Sequence, residues 1–186
     1  MPGSRPARPG LRSTPVTDDD DRALVERQLG RPPRAFRRVV VRCPWGRPAV
    51  TEQSPYDAAG EPFPTTYYLT CPHLVAAIAR LEAAGGVADW TAAVERDAEL
   101  AVGLERANAE QRELRRRLAE GQVGVDGGAS LELGIGGAGR GSGLKCLHAH
   151  SAYALARPGY ELGERILAEL GELWPEGACC TPAAPG

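Results

Sequence analysis

Phe63-Pro64-Thr65-Thr66-Tyr67-Tyr68-Leu69-Thr70-Cys71-Pro72-His73-Leu74 is the stretch on which the reading of the fold turns. Its centre, residues 65–70, is the densest run of β-forming side chains in the chain. Pro72 suits the first position of a helix, where a missing N–H costs nothing. Behind it Leu74, Val75, Ile78 and Leu81 share one helical face, and Gly85-Gly86 ends the run. The stretch therefore reads as a strand that hands Cys71 to a helix N-terminus, where backbone N–H groups point outward and favour negative charge. Lys145-Cys146-Leu147-His148-Ala149-His150 carries related chemistry near the start of a later helix. Together the two stretches hold all three histidines and two of the five cysteines, so a site is expected where they meet.

Upstream, Asp18 to Asp21 supply an N-cap and favourable charge for a first helix, which Gly30 and Pro32 stop. Residues 36–43, centred on Val39-Val40-Val41, read as a strand. Strict alternation puts Val39, Val41 and Cys43 on one face and Arg38, Val40 and Arg42 on the other. Pro44-Trp45-Gly46-Arg47-Pro48 is a turn, and residues 49–52 return as a second strand, giving a hairpin. Residues 55–62 are a loop leading to the Tyr-rich third strand.

Downstream, a short helix is expected over residues 88–96, capped by Asp89, and a longer one over 97–119. In the longer helix Leu100, Leu104, Ala107, Gln111, Leu114 and Leu118 alternate in steps of four and three. That is a heptad seam with one polar interruption, under three heptads long. A helix packed on its own domain accounts for it; a protein partner or a homodimer through this helix is the alternative. Helices over 144–156 and 161–173 complete the set, and Pro175 stops the last. The expected fold is a small α+β domain over residues 18–174, an antiparallel or mixed three-stranded sheet packed against several helices. Residues 1–17, rich in Pro, Gly, Ser and Arg, read as a disordered tail. Residues 175–186, with Cys179-Cys180, read as a loose C-terminal tail.

Residues 121–143 contain ten glycines and are expected to form a flexible loop. Gly134-Ile135-Gly136-Gly137-Ala138-Gly139 matches a G-x-G-x-x-G string, but a glycine tract makes such strings by chance. Too little chain follows for a βαβ unit, so dinucleotide binding is excluded. A phosphate loop is excluded too, because Lys145 is preceded by Leu144 and followed by Cys146.

The net charge of −2 makes no global case for nucleic acid or for a membrane surface. No apolar run reaches the ~18 residues of a membrane helix, and the arginine-bearing N-terminus has no apolar segment behind it, so a cytoplasmic location is expected. There, five cysteines read as reduced thiols, metal ligands or reactive groups rather than disulfides. Arg31, Arg34, Arg37, Arg38, Arg42 and Arg47 gather on the first hairpin, and Arg112, Arg115, Arg116 and Arg117 on the long helix. Such patches can contact phosphates, and Trp45 and the tyrosines can stack on bases. A charge run is usually a solvated face, however, so nucleic acid is disfavoured as a partner.

The chain resembles a bacterial family known only as domain of unknown function 501. The resemblance rests on Gln28-Leu29-Gly30-Arg31-Pro32-Pro33-Arg34, Arg42-Cys43-Pro44-Trp45-Gly46-Arg47-Pro48, Gly60-Glu61-Pro62-Phe63 continuing through Cys71-Pro72, Asp97-Ala98-Glu99-Leu100-Ala101, and Gly143-Leu144-Lys145-Cys146-Leu147-His148-Ala149. It departs from the family pattern at Tyr153, where that pattern places a second histidine, and at His150, where it places an apolar residue. The resemblance implies no established activity.

Three functions fit these residues. Cys43, Cys71, Cys146 and His148 can supply three sulfurs and one nitrogen to a zinc ion, with His73 or His150 as substitutes. Strand order decides whether Cys43 and Cys71 share an ion: with the second strand between them they sit ~9–10 Å apart, and as direct neighbours ~5 Å. Alternatively, Cys43 and Cys71 are small buried apolar residues, as free cysteine commonly is. A thiolate–histidine enzyme would use Cys71 with His148 as base, Tyr67 and Tyr68 as donors to a substrate and Lys145 to hold an anion. A binding module for a protein or nucleic-acid partner would use the arginine patches without catalysis.

Overall fold

The computed structural model describes residues 18–139, 143–174, 177, 179 and 180. In chain order these form α1 (Asp18–Leu29), β1 (Phe36–Arg42), β2 (Pro48–Gln53), β3 (Tyr67–Leu69), α2 (Pro72–Ala83), α3 (Gly86–Arg96), α4 (Ala98–Leu118), α5 (Leu147–Ala156) and α6 (Glu161–Ala168). The architecture is α+β, as expected. The sheet is antiparallel with order β1-β2-β3, so β2 is central.

The β1–β2 turn is closed by Cys43 N–H on the Arg47 carbonyl at 2.9 Å and Gly46 N–H on the Cys43 carbonyl at 2.8 Å, with Gly46 at φ 77°. Every residue of β2 is buried, Glu52 included. Its carboxylate accepts from Arg38 Nε and Nη2 at 3.0 and 3.1 Å, a two-point pairing that satisfies a buried charge. The expected alternation in β1 does not hold. Register shifts interrupt the ladder between Val39 and Val41 and on either side, and bulges of this kind re-aim side chains. Val40 and Val41 both pack on the core as a result.

The molecule closes around α5. Ala149, His150, Ser151, Ala152, Tyr153 and Ala154 are buried in succession, so this helix has no solvent face. It packs on β3, α2 and α6. Tyr153 meets Tyr67 and Tyr160 edge-to-face, with ring centroids 5.7 and 5.3 Å apart. Tyr153 and His150 both belong to this core. His150 Nδ1 lies 2.7 Å from the Tyr160 hydroxyl, and burial pushes its pKa down to about 4. It is a neutral core histidine.

The α4 seam faces its own molecule: Leu100, Ala107 and Gln111 are buried, with Leu104 and Leu114 packed beside them. Arg115 is also fully buried, Nη1 donating to the Phe63 carbonyl at 2.9 Å. The arginine patches are largely matched by carboxylates: Arg34 by Asp57, Arg37 and Arg38 by Glu52, Arg42 by Asp21, Arg112 by Glu105, Arg116 by Glu113 and Glu132. Among the described residues no helix is long and apolar enough to cross a membrane.

The glycine tract is seated on the molecule up to residue 139. It forms 3-10 turns at Ala129–Glu132 and Ile135–Gly137, buries Ser130 and Ile135, and places Gly124 where a Cβ would lie 2.1 Å from the Tyr56 ring. Residues 140–142 of the tract lie outside the described residues, as do residues 1–17.

Candidate functional site

Three ligand-type side chains, one from α2 and two from the N-cap and first turn of α5, meet at the start of α5. A carboxylate oxygen of Glu82, the Cys146 sulfur and a His148 ring nitrogen all lie within 4.8 Å of one another. Among the described residues this is where three such groups meet. The local backbone explains the meeting. The helix was expected from residue 144, but Cys146 takes an extended conformation (φ −160°, ψ 114°) and serves as N-cap, so α5 begins at Leu147. Cys146 therefore lies outside the helix, while His148 is in its first turn. The fully buried Leu147 anchors the turn between them.

α2 supplies the other half. The Leu147 N–H donates to Glu82 Oε1 at 2.6 Å, so Glu82 caps α5 from a neighbouring helix and places negative charge at its positive end. Glu82 Oε2 lies 3.2 Å from His148 Nδ1. His148 Nε2 lies 3.1 Å from the Val75 carbonyl. Val75 and Glu82 are two helical turns apart on one stripe of α2, so a single helix face holds the imidazole at both nitrogens. The Cys146 sulfur first, then the Val75 carbonyl and Glu82, outweigh burial and raise the His148 pKa to about 9.

Cys146 and His148 line a cleft of about 510 Å³ whose walls include Thr65, Tyr67, Tyr68, Thr70, Val75 and Leu29. The wall is mostly apolar and brings tyrosines and threonines of the 63–74 stretch together with Cys146 and His148 at the start of α5. The two stretches singled out in the sequence therefore do meet.

The four expected zinc ligands separate into two sets. Cys146 and His148 join Glu82. Cys43 and Cys71 follow β1 and β3, with β2 between them, and each meets a tail sulfur: Cys179 Sγ lies 3.9 Å from Cys43 Sγ, and Cys180 Sγ 3.5 Å from Cys71 Sγ. The C-terminal pair, expected in a loose tail, thus touches the sheet end. Cys71 is the N-cap of α2, yet burial dominates the helix end and pushes its thiol up to about 11. Burial likewise raises the Cys43 thiol. Neither is an activated thiolate. His73 is half-buried and belongs to neither set.

Glu82 is the residue that sequence reasoning missed. A signal existed: it is the one acid between Glu61 and Asp89, and it stands in the last turn of α2, where the helix dipole disfavours negative charge. A carboxylate at the wrong end of a helix needs another reason to be there.

The family model described as protein of unknown function (DUF501) matches residues 39–168, which include Glu82, Cys146 and His148. The chain belongs to this family. No curated protein and no solved structure matches it. The DUF501 match takes in Cys43 and Cys71 but ends before Cys179 and Cys180.

Proposed function

We propose that this DUF501 chain binds one zinc ion through Glu82, Cys146 and His148 and presents it to the cleft beside Tyr67 and Tyr68. The observation that carries the reading is the meeting of a carboxylate, a sulfur and an imidazole within 4.8 Å. These are zinc's preferred ligand types, and three protein ligands with a fourth position left for water or substrate is the pattern of reactive rather than structural zinc. In a tetrahedral site the ligand atoms stand about 3.3–3.8 Å apart, so the cluster needs contraction by about 1–1.5 Å at most. The Val75 carbonyl supports the reading further. A ligating histidine commonly donates its other N–H to a carbonyl, which fixes the ring and leaves one nitrogen for the metal. Here Nε2 faces Val75, and Nδ1 faces Glu82. An ion at that point would take the place of the Nδ1 proton.

Metal content of the purified chain tests this, by elemental analysis after zinc loading and dialysis. One zinc per chain is expected, lost in Cys146→Ser and in His148→Gln and retained in Cys71→Ser. A chain that holds no zinc, or holds it equally well without Cys146, overturns the reading.

A second reading has its own support. The Cys146 sulfur beside the His148 ring, with Glu82 and the Val75 carbonyl orienting that ring, suits a nucleophile–base pair. Alkylation by iodoacetamide separates the two. In the second reading Cys146 reacts faster than Cys71 in chelator-treated protein and the rate is unchanged by added zinc; in the first, zinc protects it.

A further inference from the structure

We propose that Cys179 and Cys180 are the C-terminal half of a redox clasp, a thiol modification site in which they become disulfide-bonded to Cys43 and Cys71 respectively, with a low-molecular-weight disulfide as oxidant. The proposal is independent of the zinc reading, since it uses none of Glu82, Cys146 or His148.

Each anchor meets one tail sulfur. Cys43 meets Cys179 at 3.9 Å and Cys71 meets Cys180 at 3.5 Å, sulfur to sulfur. A disulfide needs about 2.05 Å, so each pair is within about 2 Å of bonding. Central strand β2 holds the two anchors apart, by about two strand spacings of ~4.8 Å. Consecutive cysteines in the tail span that gap, one to each anchor. A single ion does not explain the arrangement. Thiolates on one zinc all stand about 3.8 Å from each other, and no three of these four sulfurs gather within 4.8 Å.

The pairs also divide the chemistry. Cys43 and Cys71 are buried, at 7% and 2% exposure, while Cys179 and Cys180 are partly open to solvent. The open thiol meets the oxidant and the buried one resolves. In the first step the Cys180 thiolate attacks one sulfur of the small disulfide, forming a mixed disulfide and releasing one small thiol. In the second, the Cys71 thiolate attacks the Cys180 sulfur, forming the Cys71–Cys180 bond and releasing the other small thiol. Two electrons pass from the cysteine pair to the small disulfide, and the two cysteine protons end on the released thiols. Cys179 and Cys43 follow the same course. Burial that keeps the anchor thiols protonated makes the second step the slow one.

The clasp lies beside the cleft. Thr70 and Pro72, on either side of Cys71, are both in its wall. Oxidation would tie Cys179 and Cys180 covalently to that rim, and reduction would leave the same contacts unbonded.

The test equilibrates the full chain with glutathione disulfide, blocks remaining thiols by alkylation and maps the links by mass spectrometry. A glutamyl endopeptidase that cuts after Glu52 separates the two anchors. The expected product is four hydrogens lighter than the reduced chain, with Cys146 alkylated. Cys180→Ser should leave a Cys43–Cys179 link, and Cys179→Ser a Cys71–Cys180 link. The thermal midpoint should rise on oxidation and return on reduction, because each bond closes a long loop. A Cys179–Cys180 link, a link to Cys146, the same anchor captured in both single variants, or glutathione adducts alone would each overturn the proposal. So would a bound metal that Cys43→Ser and Cys180→Ser both remove.

Discussion

Gly163 shows how little room single residues have here. α6 crosses α5 so closely that a Cβ at Gly163 would lie 2.6 Å from both Ala154 Cβ and the His150 carbonyl. The carbonyl is helix backbone and does not yield as a flexible side chain would. Alanine in an open helix gains up to about 1 kcal/mol over glycine, but overpacking a core costs about 1–3 kcal/mol. Gly163→Ala is therefore expected to lower unfolding free energy by about 1–2 kcal/mol in denaturant titration; a gain would show that the helices separate freely. Asp126 gives a pH signature. Its carboxylate faces the Ser130 hydroxyl and accepts from the N–H groups of Ser130 and Gly128, and its pKa falls from 3.8 to about 2. A folded-state pKa below the unfolded one gives stability that is present above pH 3.8 and lost as pH falls toward 2. Thermal midpoints of Asp126→Asn should accordingly fall less than those of the parent between about pH 4 and 2; parallel curves would remove Asp126 from the account. Residues of this kind were poorly legible in the sequence. Cys146 and His148 could be picked out as ligand types, but Glu82 joins them only because α2 and α5 pack together, and burial reverses the direction expected for Cys71.

Asp97 is an element boundary that sequence chemistry does specify. Its Oδ1 accepts from the N–H groups of Glu99 and Leu100 at 3.0 and 3.2 Å, capping α4. Asp97→Ala should cost about 1 kcal/mol, read as a lower denaturation midpoint, with Asp97→Ser restoring most of it. The elements that were legible share this local logic: α1 with its aspartates, α2 with Pro72 and its apolar stripe, the β1–β2 hairpin with its Gly46 turn. Those that were misjudged answer to distant partners. β1 lost its alternation to bulges set by register with β2. β3 narrowed to three residues, Tyr67–Leu69, in register with Val50–Glu52, with single backbone hydrogen bonds at Thr66 and Thr70 continuing to β2 at either end. α5 started late because Glu82, far away in sequence, caps it at Leu147.

At the scale of the whole molecule, the glycine tract is the largest difference between composition and structure. Ten glycines suggest freedom, yet Asn108 Oδ1 accepts from the Ile135 N–H at 2.9 Å and the Gly134 N–H donates to the Ala138 carbonyl at 2.7 Å. Gly134 also sits where a Cβ would fall 2.5 Å from Asn108 Oδ1, so glycine there permits close approach rather than looseness. Amide exchange should find Ile135 protected in the parent and exposed in Asn108→Ala, with α4 itself still protected; equal exchange in both would show that the segment is held elsewhere. The central burial of α5 has a further consequence, for synthesis. α2, α3, α4 and the glycine tract all emerge between β3 and the helix that covers it. At about 5–20 residues per second, the sheet waits on the order of ten seconds with its apolar side bare. A nascent chain stalled before Leu147 would be a client for chaperones, and the pairing of Cys146 and His148 with Glu82 would come into being only as the core shuts.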